Sequence, residues 1–166
     1  GGKTEAYLGV IAFSLVLRRL RAGQEGADHQ GLGVGVLLRY TLRLLTLDQF
    51  GRASGLICAL EALRRADPDT LGEQRFSIGL WVGKSAAPNK LRDAVDQLAL
   101  FKARQGASPC PLERCPWCAQ KFTPNSFRPW PSASKPEEIL VGCTNPVCEF
   151  TRANPQHPEG LPILFV

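Results

Sequence analysis

The chain opens with Gly1-Gly2-Lys3-Thr4, and this stretch decides the predicted fold. It matches the end of the phosphate-binding loop GxxxxGK[ST], in which glycine lets backbone N–H groups approach a phosphate. Lys3 would then carry its charge to the β- and γ-phosphates of ATP, and the Thr4 hydroxyl would ligate Mg²⁺. The helix that follows would point its positive end at the anion. The alternative interpretation is a glycine-rich surface turn that leads into a helix.

Helical and strand-like segments alternate from this motif onward. Residues 4–21 have helical composition, and residues 33–40 form a short apolar segment between glycines, which suits a buried parallel strand. Residues 46–66 carry apolar side chains near helical spacing, and residues 76–82 alternate as a second strand. Asn89 would cap a third helix that reaches about Arg104. The order predicts an α/β protein in which both strands share one parallel sheet and Thr4 opens at its carboxyl edge.

The composition changes after residue 105. Pro, Cys, Ser and Asn dominate residues 106–160, and the regular periodicity stops. A structureless loop of that length inside a compact domain is improbable, whereas a small module held together by a metal explains it. We therefore predict a sheet domain over residues 1–105, an inserted module over 106–160, and a strand that returns to the sheet domain over 161–166.

Two pairs of cysteines in this module have the spacing of metal ligands. Cys115 and Cys118 form a CxxC pair, Cys143 and Cys148 form a CxxxxC pair, and 24 residues separate the pairs. Each short spacing lets two thiolates from one turn face a single tetrahedral ion, as in zinc ribbons. A redox-active disulfide between Cys115 and Cys118 is the alternative, and the second pair argues against it.

Two further cysteines are assigned other roles. Cys110 is interpreted as a bystander, with replacement of Cys115 as a ligand kept as the alternative. Cys58 lies on the apolar face of a predicted helix and is expected to be a small core residue.

Charge and hydropathy limit the setting of the protein. The net charge is +5, from 20 basic and 15 acidic residues; this permits a nucleic-acid partner but equally describes an ordinary basic surface. The apolar run of residues 6–17 is shorter than the roughly 20 residues that span a bilayer. Its basic residues follow it, whereas those of a signal peptide come first. We expect no membrane segment, a cytoplasmic location, and a chain cut from a longer protein at both ends.

Basic and aromatic residues are interleaved in the predicted module. The basic residues are Lys121, Arg128, Lys135 and Arg152, and the aromatic ones are Trp117, Phe122, Phe127 and Trp130. Such interleaving suits single-stranded nucleic acid, whose bases stack on aromatic rings. The aromatic residues could equally form the small core around the zinc ion.

Several stretches resemble one family of helicases over essentially the whole chain. Lys-Thr-Glu-Ala after the glycines is common in superfamily 2 helicases, and residues 37–49 lie where those proteins have motif Ia. Four further stretches follow in order: the run RYTLRLLTLDQFGRA, the strand SIGLWVG, the Pro88-Asn89 pair and a Cys-rich insert ending in LPILFV. In this arrangement the chain is similar to the helicase of DISARM-type phage-defence systems.

The resemblance implies a partial RecA-like P-loop NTPase sheet with an inserted four-cysteine zinc ribbon, and DNA-dependent ATP hydrolysis in defence against phage. The implied cofactors are structural Zn²⁺ with ATP and Mg²⁺, and the implied partners are DNA and other defence subunits. The implied nucleotide-binding residues, of which Lys3 and Thr4 are catalytic, are Gly1, Gly2, Lys3, Thr4 and Glu5. The implied DNA-binding residues are Arg39, Thr41, Arg43 and Gln49.

The chain departs from a complete helicase because the acidic motif II and a second motor domain are missing. This chain alone is therefore not expected to hydrolyse ATP efficiently. Two alternatives are a zinc-ribbon module that binds nucleic acid or protein without motor activity, and a P-loop NTPase that is not a helicase.

Overall fold

The computed structural model describes residues 2–22, 33–39, 43–81 and 90–165, and in residues 43–46 it describes the backbone alone. The chain divides into two compact units, Gly1–Phe76 and Ser77–Val166. The helices of the first unit are α1 (Lys3–Ala22), α2 (Arg43–Ala66) and α3 (Pro68–Leu71). The elements of the second unit are β1 (Ile78–Gly79), α4 (Leu91–Lys102), a short 3₁₀ helix (Pro124–Ser126), β2 (Phe127–Pro131), β3 (Pro136–Val141) and β4 (Ile163–Leu164).

Long helices make up most of the described part of Gly1–Phe76. The sequence predicted α1 and α2 correctly, within a few residues at each end. Their buried apolar residues are Ile11, Phe50, Ala53, Ile57, Cys58 and Leu60, and Phe76 joins this core from the end of the unit. A new helix follows α2 directly because the Asp67 carboxylate accepts a hydrogen bond from the Thr70 N–H at 3.2 Å and caps α3.

The predicted buried strand at 33–40 is wrong over residues 33–39, which have no regular secondary structure. Their apolar side chains face outward, with Val34 82% and Leu37 86% exposed. The segment runs beside α1, where Arg18 Nη1 donates to the Val34 carbonyl at 3.1 Å. A strand needs a neighbour with which to exchange backbone hydrogen bonds, and the described part of this unit contains no strand. Residue 40 lies outside the described residues.

A short parallel pair joins the two ends of the Ser77–Val166 unit. In it Ile78 pairs with Ile163 and Gly79 with Leu164. Over the described residues 76–81, the predicted strand at 76–82 is therefore confined to Ile78–Gly79, and its partner is β4. Residue 82 lies outside the described residues. Helix α4 begins one residue after Lys90, while the predicted cap at residue 89 lies outside the described residues. The fold is thus a mixture of helices and strands with a small parallel pair, and the RecA-like sheet stays a prediction.

An antiparallel hairpin, β2–β3, builds the core of this second unit. Its register pairs Phe127 with Val141, and both side chains are buried. The Phe127 ring meets the rings of Phe101 and Phe122 edge to face, at centroid distances of 6.2 and 5.7 Å. Phe122 and Phe127 are therefore core residues, which confirms for these two rings the core interpretation of the aromatic residues.

Among the described residues, no helix combines the length and the apolar character that crossing a bilayer requires.

Candidate metal centre

Four thiols converge in the Ser77–Val166 unit. The Sγ atoms of Cys115, Cys118, Cys143 and Cys148 all lie within 4.8 Å of one another. The Cys118–Cys143 and Cys115–Cys148 sulfur pairs are 3.5 and 4.0 Å apart. A tetrahedral ion with Zn–S bonds of about 2.3 Å needs sulfur atoms about 3.8 Å apart. The four thiols therefore fit one tetrahedral ion, and they are too far apart for disulfide bonds of about 2 Å.

The first cysteine pair is held in a tight turn by its own backbone. The Ala119 N–H donates to the Cys115 carbonyl at 2.9 Å, and the Cys115 N–H donates to the Gln120 carbonyl at 2.8 Å. Ala119 closes the turn with a positive φ of 61°, a region that non-glycine residues occupy at a cost. An isolated antiparallel bridge between Arg114 and Lys121 flanks the turn on both sides.

The second pair sits in a longer turn that Asn145 organises. The Asn145 N–H points at Cys143 Sγ at 3.4 Å, and its side-chain oxygen accepts from the Val147 N–H at 3.2 Å. Its Nδ2 lies 3.9 Å from Cys118 Sγ, on the other turn. Donors aimed at sulfur stabilise the thiolate form that a metal requires. Asn-Pro in a turn is a signal that the sequence offers, but it does not reveal these sulfur contacts.

Close packing joins the two turns. Trp117, between Cys115 and Cys118, meets the buried ring of Phe150 edge to face at a centroid distance of 5.6 Å. The Cys143 N–H donates to the Phe150 carbonyl at 2.9 Å. A Cβ on Gly160 would lie 2.6 Å from the Val141 carbonyl oxygen, and only glycine permits that approach at a φ of 66°. The cysteine turns are therefore fixed by the surrounding chain as well as by each other.

The four thiols hold their protons with different strength. Burial raises the pKa of Cys143 to about 11, and it also raises the pKa of Cys148. Burial acts in the same direction on Cys118, but the Gln120 N–H and the neighbouring thiols outweigh it and lower its pKa to about 7. Four thiolates so close together repel one another, and a divalent cation compensates that repulsion. Binding the ion therefore releases protons.

The remaining two cysteines lie outside this group, as predicted. Cys110 is buried outside the group of four thiols, and burial raises its thiol pKa to about 12. Cys58 is fully buried in α2.

The predicted nucleotide-binding residues lie at the start of α1. Gly2 and Lys3 are exposed, Thr4 is half-buried, and the Gly2 carbonyl accepts from the Ala6 N–H at 3.1 Å. Glu5 forms an ion pair with Arg52 of α2. Its own backbone N–H and Arg52 lower the pKa of Glu5. Gly1 is outside the described residues, and binding of nucleotide at this helix end stays a prediction.

The predicted DNA-binding residues are not brought together by the described part of the chain. Arg39 is exposed on the segment beside α1. Gln49 is buried in α2, where its Nε2 donates to Asp48 Oδ2 at 3.3 Å. Thr41 and the side chain of Arg43 lie outside what the structure describes. The role of these four residues in binding DNA stays a prediction.

A buried ion-pair cluster was not anticipated from the sequence. Glu61 is 1% exposed and accepts hydrogen bonds from Arg64 Nε at 2.9 Å and Nη2 at 2.8 Å. It also accepts from Arg65 Nε at 3.2 Å and from the Phe76 N–H at 2.9 Å. Arg64 donates in turn to the Glu73 carbonyl at 3.0 Å. The i, i+3 and i, i+4 spacing of Glu61 with Arg64 and Arg65 was visible in the sequence, but the burial of the Glu61 carboxylate was not.

One curated protein resembles the chain closely. The chain is 38% identical over 161 residues to the DISARM protein DrmA of Bacillus paralicheniformis. The match covers 93% of this chain but 14% of that much longer protein. No protein-family model matches the chain. The resemblance that the sequence motifs indicated is therefore supported by similarity to a DISARM protein, and the chain spans about one seventh of the length of that relative.

Proposed function

We propose that the chain is a segment of a DNA-acting, ATP-dependent protein of anti-phage defence, and that its Ser77–Val166 unit is built around a structural zinc ion. The observation that carries the zinc site is the convergence of four Sγ atoms within 4.8 Å. The defence role rests on the similarity to a DISARM protein.

The donor set favours zinc as the ion. Four thiolates in tetrahedral array select Zn²⁺ or an iron–sulfur cluster. The sulfur distances of 3.5 and 4.0 Å match a single ion at the centre, whereas a cluster has several metal atoms to accommodate. With four protein ligands the ion has no open position for substrate, so its role is structural.

Metal analysis of the purified chain tests the zinc site. We expect about one zinc ion per chain, loss of that zinc in Cys118→Ser, and full retention in Cys110→Ser, because Cys110 is a buried thiol outside the cluster. The paired variants separate loss of a ligand from a general effect of removing a thiol. Full zinc content in Cys118→Ser would contradict the site.

The proposal that the longer protein is a helicase rests on the start of α1. Gly2 and Lys3 are exposed at the beginning of a 20-residue helix, as a phosphate-binding loop requires. In the RecA-like arrangement, Lys3 and Thr4 would bind ATP and Mg²⁺, and the region of Arg39 to Gln49 would grip DNA. A zinc module without motor activity and a P-loop NTPase that is not a helicase are the competing functions.

A crossed pair of variants in a longer protein that contains this chain tests the motor. Lys3→Ala should abolish ATP hydrolysis and leave nucleotide-free DNA binding intact. Arg43→Ala should weaken DNA binding, reduce DNA-stimulated hydrolysis, and lower the salt slope of log K by about 1. Arg21→Ala, at the exposed end of α1, is the matched control. A passive zinc module would show no ATP hydrolysis that Lys3→Ala could remove.

A further inference from the structure

The outer face of the β2–β3 hairpin carries a basic and aromatic strip. Side chains alternate along a strand, so Arg128 and Trp130 project from the face opposite the buried Phe127. The Arg128 guanidinium lies over the Trp130 ring, 5.3 Å from its centroid. Trp130 remains 47% exposed, so one side of the ring is open to solvent.

A second arginine lies next to this pair. Arg152 packs across Gly142, where a Cβ would come within 2.7 Å of the Arg152 Cβ. Glycine at this position therefore lets the chain of Arg152 approach the end of β3. Both arginines line one small cleft, together with Ser126, Leu140, Gly142 and Glu159.

Backbone carbonyls hold both guanidinium groups in place. Arg128 Nη2 donates to the Pro158 carbonyl at 3.2 Å, and Arg152 Nη1 donates to the Asn125 carbonyl. A guanidinium has five N–H donors and no acceptor, so each group retains donors for an anion. Because their positions are already fixed, binding an anion costs these side chains less entropy.

We propose that this strip, defined by Trp130, Arg128 and Arg152, binds single-stranded nucleic acid. Trp130 stacks on an unpaired base, and the two arginines, which both lie on the Gly142 side of the ring, contact phosphates of the nucleotides that follow in that direction. Stacking is tolerant of base sequence, and arginine recognises phosphate through paired N–H donors. The choice of nucleic acid rests on the proposed function, whereas the strip itself rests on the contacts of these three side chains.

Two acidic side chains reduce the positive charge of the surface around the strip. Glu138 pairs with Trp130 across the hairpin, and Glu159 lines the cleft. Their charge opposes a broad, non-specific attraction of polyanions and leaves the ring to select unpaired bases. Removal of the Glu138 charge should therefore strengthen binding, a gain that a merely structural role of this face would not produce.

Fluorescence anisotropy with a labelled oligothymidylate and the zinc-loaded full chain tests the strip. Trp130→Leu should weaken binding at least about fivefold, since base stacking is lost, and Trp130→Phe should retain most of it. Arg128→Ala should weaken binding and lower the salt slope of log K by about 0.7, as for one phosphate of a single strand. Glu138→Gln should bind more tightly, and a blunt duplex should compete poorly.

Two surface variants provide controls: Trp81→Ala, at a tryptophan 85% exposed elsewhere in the unit, and Arg92→Ala, at an exposed arginine of α4. Every variant is compared at equal zinc content. The proposal would be overturned if the wild-type chain did not bind the oligothymidylate. It would also be overturned if Trp130→Leu and Arg128→Ala bound it as tightly as wild type. Lys3→Ala should bind the oligothymidylate as wild type does. A failure of the proposed ATP hydrolysis can therefore be distinguished from a failure of this strip to bind nucleic acid.

Discussion

The two units of the chain are stabilised by different kinds of interaction. Gly1–Phe76 contains helices of 20 and 24 residues, whose backbone hydrogen bonds are local and whose buried faces include an ion-pair cluster at Glu61. Ser77–Val166 has short elements and two cysteine turns around four thiols. The first unit is a helical core that contains a buried ion-pair cluster. The second is a small core that a metal bound by the four thiols would hold together.

This difference predicts where each unit is vulnerable. The backbone hydrogen bonds of a helix form within the helix itself, and most of the stability of helices in proteins comes from packing of their buried faces. The stability of the first unit should therefore depend mainly on its buried side chains. Small domains with little regular structure need staples such as disulfides or metals. Metal removal and loss of a buried charge should therefore affect different units, and four measurements test that separation.

Metal removal should have the largest effect. Structural zinc contributes about 10–16 kcal/mol of apparent binding free energy in zinc-finger peptides, which exceeds or equals the stability of most domains. Chelation should unfold Ser77–Val166 and leave the helices of Gly1–Phe76 formed. Limited proteolysis with mass spectrometry should show cleavage after residue 77 first, and added zinc should reverse it. Earlier cleavage within α1 or α2 would contradict the comparison.

Loss of the buried charge should come second. Glu61→Gln leaves Arg64 buried without its carboxylate partner, and breaking such a pair typically costs about 3–5 kcal/mol. Urea unfolding followed by helical circular dichroism should show the loss, with zinc content unchanged. Glu5→Gln, which removes an exposed ion pair with Arg52, is the control and should change stability little. Equal effects of the two substitutions would show that the buried cluster adds nothing.

Acid should weaken the first unit through the same carboxylate. Burial alone would raise the pKa of Glu61, but hydrogen bonds from Arg64 and the Phe76 N–H lower it below 4.5. A group with a lowered folded pKa stabilises the protein fully above its unfolded value and loses that contribution as pH falls through the folded value. Urea unfolding at a series of pH values from neutral down through that range should show this loss in wild type. Glu61→Gln should have a flatter pH dependence, and a parallel profile would assign the acid sensitivity elsewhere.

A pair of glycine substitutions should give the smallest effects, one in each unit. Gly72 has a φ of 82° and open space around the position that a Cβ would take, whereas Gly160 has a φ of 66° with the Val141 oxygen 2.6 Å from that position. Gly72→Ala should cost about 1–2 kcal/mol from backbone strain alone, because a φ of 82° with a ψ of 164° is a combination essentially restricted to glycine. Gly160→Ala should cost about 2–3 kcal/mol, since overlap adds to strain. Denaturant midpoints check the order, and a larger loss in Gly72→Ala would contradict it.

The sequence predicted those elements whose signals are local. The bounds of α1 and α2 follow from composition and apolar spacing, and the proposed zinc ligands follow from two short cysteine spacings. The segment at 33–39 is apolar enough for a strand, but no partner strand lies in the described part of its unit. Gln49, which the resemblance implies as a DNA-binding residue, is buried in α2, and its role in binding DNA stays a prediction. Its burial was not visible in the sequence, because helix register against a neighbour decides which polar side chains reach the surface.

Local sequence was therefore enough to specify the two thiol pairs, each closed within one turn, and the helices that precede them. Convergence of the pairs depends on tertiary structure, because the β2–β3 hairpin spans most of the 24 residues between Cys118 and Cys143. The same hairpin register places Arg128 and Trp130 on one face and buries Phe127 on the other. Short spacings encode geometry directly, whereas pairing between distant residues depends on packing that local sequence does not specify.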